Sequence, residues 1–277
     1  MKSNLKHMAT AVLLAMSATA SAQTSSFGLG YDFVNSKPNI DVQFNRESAA
    51  EADNKYDFKI ASRHYHLNPA AEAHFGSGTA TSTDNILVGL NSYLKFGGRN
   101  ANDKYTILHQ VNLISPQLSS DKNFKVYQGF ASIGYKFISY YMRRDKGGYF
   151  EFNIGVDLDA GLSKVDSLGS TKGITRIKGS PTVIWQFAGK TSSEDLNPAL
   201  DPDFYYRLQF FASYLPMHFF SQDTRVIDKR NVGYLSAKLA YQVNPRLQIT
   251  LGYKHGRFEP LYKKVDNVSL GFALVAK

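Results

Sequence analysis

The chain has 277 residues, 43% apolar and 13% aromatic, with 32 basic against 23 acidic side chains and no cysteine. The lack of thiols excludes disulfides, cysteine nucleophiles and thiolate metal sites. Mean hydropathy is −0.30 and no stretch is apolar for long enough to span as a helix, so a membrane-crossing form would have to be built from strands.

At the start, Lys2 and Lys6 precede a short apolar run, Met8 to Met16, and Ala20-Ser21-Ala22 offers a small-x-small cleavage site before Gln23. This is the layout of a secretion signal; a membrane helix would need a run of about twenty apolar residues. Residues 1–22 are therefore expected to be removed, leaving one domain, residues 23–277. That domain has 277 − 22 = 255 residues and a formal charge of 30 − 23 = +7.

From Phe27 onward, apolar and polar residues alternate with period two, the mark of strands that meet an apolar phase on one face. Phe27, Leu29, Tyr31 and Phe33 open the series, followed by Ile40, Val42 and Phe44, then by Tyr56, Phe58 and Ile60 within Lys55 to Arg63. Asn85 to Phe96, Lys104 to Ile114 and Phe124 to Ile138 continue it. In Tyr149 to Leu162 every even residue from Phe150 to Leu162 is apolar, while Glu151, Asn153, Gly155, Asp157, Asp159 and Gly161 fill the odd positions. Ile174 to Phe187 and Asp203 to Leu215 come next. Leu235 to Val243 and Leu247 to Tyr253 are joined by an Asn244-Pro245 turn, and Val268 to Leu274 runs to the end of the chain. The total is about twelve strands, with 10–14 allowed by the weak alternation before Arg63.

The expected fold is all-β, a closed antiparallel transmembrane β-barrel; a soluble exported β-sandwich and two tandem domains are the competing readings. With both termini periplasmic, the long connections His64 to Asp84 and Pro216 to Arg230 fall on the extracellular side, and Gly97 to Asp103 on the other. The pattern resembles the Gram-negative outer-membrane β-barrel superfamily, of porin-like type. Members typically end in polar-x-Gly-x-x-aromatic-x-aromatic; Ser269 and Gly271 match, whereas Leu274 and Ala276 replace the aromatics and Lys277 the terminal Phe. The resemblance implies residence in the outer membrane, contact with outer-membrane lipid and lipopolysaccharide, and passage through the assembly machinery.

Parity turns Lys95, Lys136, Lys178, Arg207, Lys238 and Lys254 toward the lumen, opposed by Asp32, Glu151, Asp157 and Asp159. One reading is a narrow wet pore whose basic wall favours small anionic solutes. The other is an internal ion-pair network that plugs the barrel, because buried charges are normally paired. Asp157 and Asp159 project to one side about 7 Å apart, a spacing that suits a calcium ion less well than a basic partner such as Arg207 or a lysine.

His64, His66 and His74 form a weak metal candidate, since real sites need three or four convergent ligands. No metal and no cofactor is expected. Nucleophile elbows, zinc-protease and phosphate-loop signatures are lacking, and His109, the mid-strand histidine at apolar parity, has Ile107 and Val111 two residues away rather than a nucleophile. The sequence therefore points to a passive channel for small solutes. A structural, adhesive or assembly barrel without an open pore is the alternative, and an outer-membrane lipid-acting enzyme is the remote one. Nothing in it indicates nucleic-acid binding.

Overall fold

The computed structural model describes residues 23–34, 36–47, 58–60, 63–76, 85–98, 105–121, 123–143, 148–190, 205–244 and 247–276. The expected signal, residues 1–22, lies outside them. The strands are β1 Gln23–Asp32, β2 Lys37–Glu47, β3 Phe58–Ile60, β4 Arg63–Gly76, β5 Asn85–Gly98, β6 Tyr105–Ser120 and β7 Val126–Arg143. They continue as β8 Gly148–Val165, β9 Thr171–Gly179, β10 Thr182–Lys190, β11 Tyr205–Ser221, β12 Asn231–Asn244, β13 Leu247–Arg257 and β14 Lys264–Ala276. All belong to one antiparallel sheet whose first and last strands pair over ten residues, from Gln23 opposite Ala276 to Asp32 opposite Asn267. That seam closes the sheet on itself and removes its edges.

Among the described residues the ring has twelve staves. The three-residue β3 pairs only with β4. β9 and β10 are two halves of one stave, each flanked by β8 and β11. Pro181, which has no N–H to give, interrupts them, and the ladder is carried across the break by Ser180 N–H to Gly155 O (2.9 Å) and Tyr214 N–H to Pro181 O (3.0 Å).

The expected count of twelve thus holds, but the third stave is not Lys55 to Arg63. It is β4, so His64 to Gly76 form wall rather than the long loop anticipated from His64 to Asp84. Two further expected connections are strand: β6 continues to Ser120, and β11 runs through Pro216 to Ser221. In β6 the cause is a bulge. Between Asn112 and Ser115 two residues of β6 face one of β7, which resets the alternation just where the expected segment ended at Ile114. The Gly97 to Asp103 connection lies mostly outside the described residues.

Strand β8 shows which face meets what. Its even apolar residues, Phe150, Phe152, Ile154, Val156, Leu158 and Leu162, are 37–59% exposed, while Asn153, Asp159 and Ser163 are at most 3% exposed. Exposed apolar side chains from Phe27 round to Phe272 continue this belt around the outside. A patch of this size in water would drive aggregation; around a closed barrel it is the surface that meets lipid.

Candidate functional site

The inward face divides into a dry end and a wet remainder. At the end opposite the chain termini, the connections 222–230 and 258–263 fold over the lumen and pack Ile227 and Tyr262 against Phe130, Ile174, Met217, Phe219 and Val232. The 222–230 segment is shaped by Asp223, whose carbonyl accepts from the N–H groups of Val226 and Ile227 (3.0 and 2.8 Å) and whose carboxylate takes a two-pronged bond from Arg225 (2.6 Å each). Burial alone would raise the Asp223 carboxyl, but the hydrogen bonds from the Arg225 side chain and backbone prevail and hold it below the ordinary carboxylate range. Arg225 also reaches Ser170 Oγ (2.6 Å) on the neighbouring turn. Arg257 ties the two inward segments together, donating to Asp228 Oδ1 (2.8 Å) and to the Tyr262 carbonyl (2.9 Å).

Arg176 lies at the centre of this stopper with no solvent exposure. Its Nε donates to Asp159 Oδ2 (2.6 Å), its Nη1 lies 2.9 Å from Glu259 Oε2 and donates to Tyr262 Oη (2.5 Å), and the guanidinium sits 4.1 Å over the Phe130 ring. Tyr262 passes the chain on to Gln128 Oε1 (3.3 Å), and Lys178 Nζ stands 3.5 Å from Asp159 Oδ2. Two cations thus face two carboxylates, which is how charge survives where water does not reach. Burial and the neighbouring Glu259 carboxylate push the Tyr262 phenol well above its usual value, the Arg176 charge only partly opposing them, so it remains a donor.

Farther along, the lumen holds open space. Lys238 faces inward, its neighbours Ala240 and Gln242 on that face being buried while Leu239 and Tyr241 face out, yet its side chain is exposed; inward Asn91 is exposed too. Asp157 accepts from Asn112 Nδ2 (2.9 Å), and Gln110 Nε2 donates to Asn112 Oδ1 (2.7 Å). Near the termini a row of carboxamides crosses four neighbouring strands. Gln186 donates to Gln209 (3.3 Å), Gln209 to Gln242 (3.2 Å), and Gln248 also to Gln242.

Each residue expected at the lumen occupies an inward position. Lys95 lies over the Tyr93 ring (5.3 Å), Lys136 pairs in register with Gln110 and Gly155, and Lys254 with Ser236 and Asn267. Glu151 accepts from Tyr149 and Asn153 on its own strand, and Arg207 shares β11 parity with Gln209. Asp32 accepts from Val34 N–H (2.9 Å). The two strand carboxylates do not act as a pair. Asp159 belongs to Arg176 and Lys178, and Asp157 to Asn112, rather than either to Arg207.

The histidine candidates are residues of the wall. His64, His66 and His74 sit on β4 opposite Lys95, Tyr93 and Asn85, and His74 is eight strand positions, about 26 Å, from His66. The three cannot share one ion. His109 bonds Tyr135 Oη (2.5 Å) and stacks on Phe96 with ring centroids 5.3 Å apart, an aromatic setting on the outer wall. Arg176 and Glu259 complete the site unannounced. Arg176 has the parity of Lys178 two residues on, a signal that was available; Glu259 comes from a loop and left none.

No protein-family model matches the sequence, and no curated protein matches it. Solved structures of similar shape include the NanC porin, at 9% identity and a TM-score of 0.46, covering 90% of this chain and 98% of that one. The translocator domain of the autotransporter NalP from Neisseria meningitidis follows at 10% identity and 0.38, covering 99% and 95%. The transport unit of the autotransporter AIDA-I from Escherichia coli has 9% identity and 0.36, covering 98% and 97%. The chain's own seam, apolar belt and polar interior define its class: a closed antiparallel transmembrane β-barrel with twelve staves among the described residues.

Proposed function

We propose that this barrel resides in the outer membrane of a Gram-negative bacterium and acts as a narrow passive channel for small solutes, with a weak preference for anions. The observation that carries the reading is the inward Lys238, whose side chain borders open space inside the closed ring, since a charge placed there calls for water around it. Arg176 and Glu259 add one charge of each sign to the six basic and four acidic residues expected there, so that named set counts seven basic and five acidic side chains. That excess raises the local concentration of anions. Lys95, Lys136, Lys178, Arg207, Lys238 and Lys254 with Glu151, Asp157 and Asp159 would line the path, and the stopper would set its width.

With the termini periplasmic, the stoppered end faces outward. Exposed Lys125, Lys164, Lys172, Lys229, Arg230 and Lys263 crowd that end, a charge distribution suited to lipopolysaccharide phosphates. A second reading, a plugged structural barrel, draws on the dry Arg176 cluster. Single-channel recording in a planar bilayer separates them. Stepwise conductance with an anion-shifted reversal potential is expected; a correctly assembled barrel that passes no current would establish the plugged form instead.

A further inference from the structure

Against the stopper the lumen wall opens into a cavity of about 330 Å³, lined by residues that include Tyr93, Gln110, Asn112, Ser115, Gln117 and Asp157. It lies where two irregularities of the sheet adjoin, one between Gly89 and Tyr93 on β5 against β6, the other between Asn112 and Ser115 on β6 against β7. Bulges re-aim side chains, and here the gap they open in the ladder is closed by Ser115, whose Oγ accepts from Ser92 N–H (3.1 Å) and donates to Ser92 O (3.4 Å). Gln117 Nε2, reaching Glu259 Oε1 (3.4 Å), links the cavity to the stopper.

The chemistry of the lining is narrow: carboxamides, hydroxyls and a phenol, a single carboxylate, and no lysine or arginine among the described lining residues. Asp157 when ionised only accepts, so it fixes Asn112 Nδ2 toward itself, which leaves Asn112 Oδ1 to take the Gln110 amide. A carboxamide carries two N–H groups and two lone pairs, and one or two bonds do not exhaust it. Such a wall can donate and accept at adjacent points, which is what a hydroxyl group needs. An anion would find the Asp157 carboxylate in the wall, while Lys95, over the Tyr93 ring, borders the cavity without lining it. The volume is at the low end of the roughly 300–1,000 Å³ typical of small-molecule sites.

We infer that this cavity binds an uncharged, polyhydroxylated solute of saccharide type. The inference rests on the channel reading for the route by which the solute arrives. It is tested by titrating the detergent-purified full chain with maltose and, in parallel, with glucuronate as an anionic counterpart, using calorimetry, while the same preparation is recorded in a bilayer. Saturable maltose binding is expected, tighter than glucuronate and weakened about tenfold by Gln110→Leu or Asn112→Leu, the loss of about one hydrogen bond. Glucuronate binding as tight as maltose, or maltose binding unchanged in both variants, overturns the site. Conductance without maltose binding also overturns it and leaves the channel; maltose binding without conductance overturns the channel and leaves the site. The maltose–glucuronate comparison on the unaltered chain needs no variant, so misfolding of either substitution leaves it decisive.

Discussion

The stoppered end and the open part of the lumen are built from the same strands at the same parity, and they treat charge in opposite ways. Arg176 has four named partners and no contact with solvent, whereas Lys238, on the same inward face, borders open lumen space. What differs is the cover: the 222–230 and 258–263 segments pack over the Arg176 end of the lumen. Strand alternation therefore decides which way a side chain points, while the loops decide whether its charge must be matched.

The largest test of this contrast is Arg176→Leu, which strands Asp159 and Glu259 in a dry site. It should cost about 3–5 kcal/mol, the usual penalty for breaking a buried ion pair from one side, whereas Lys238→Gln should stay within about 0.5 kcal/mol. Urea titration of the folded barrel in detergent, followed by circular dichroism, reads both; similar losses would mean that the two regions are equally wet.

Ile154→Arg against Asn153→Arg sharpens the other boundary, between lumen and lipid. The lipid-facing charge should cost about 2–4 kcal/mol and suppress the heat-modifiable band on unboiled gels, while the inward one, beside Glu151, should cost less. The reverse order would invert the assignment of faces on β8.

A smaller effect is expected on selectivity. Lys178 is offset by Asp159 at 3.5 Å and Lys238 is exposed, so Lys238→Gln should move the reversal potential toward cations more than Lys178→Gln does. Both shifts should fade near 1 M salt, where the Debye length is about 3 Å. If Lys178 dominates, the conducting path runs through the stopper rather than past Lys238.

The smallest concerns the Asp223–Arg225 pair in the 222–230 segment. The Asp223 carboxyl is held below its ordinary range, so its stabilisation is complete above the unfolded value of about 3.9 and is lost as pH falls below that. Hydrogen-exchange protection across 222–230, corrected for the intrinsic rate at each pH, should fall at acid pH and stay flat from pH 5 to 8; Asp223→Asn should abolish the dependence.

How much of this the sequence disclosed follows from where the lipid is. Strands β8 and β11 to β14 were readable because large apolar residues alternate along them against the membrane. Strand β4 was not, since Pro69 and the alanines at 70, 71 and 73 carry no such beat. The bulge at Asn112 to Ser115 reset the count and hid the last turnings of β6. The inward positions of Lys136 or Lys254 followed from parity alone. The stopper did not, because Glu259 and Tyr262 meet Arg176 from more than eighty residues away, and no local pattern encodes an encounter between a loop and a distant wall.

The seam between β1 and β14 bears on how the molecule comes into being. Its ten register pairs join the two ends of the described chain, so the most distant contacts in sequence are also the ones without which two strand edges stay bare. Entropy makes such a contact late and slow to find. A half-built sheet in lipid would leave rows of amides with no partner, each costing several kcal/mol. Assembly should accordingly be close to all-or-none, and a single substitution that weakens the seam, such as a proline for Leu270, should be felt in the yield of closed barrels far more than in the stability of those that form.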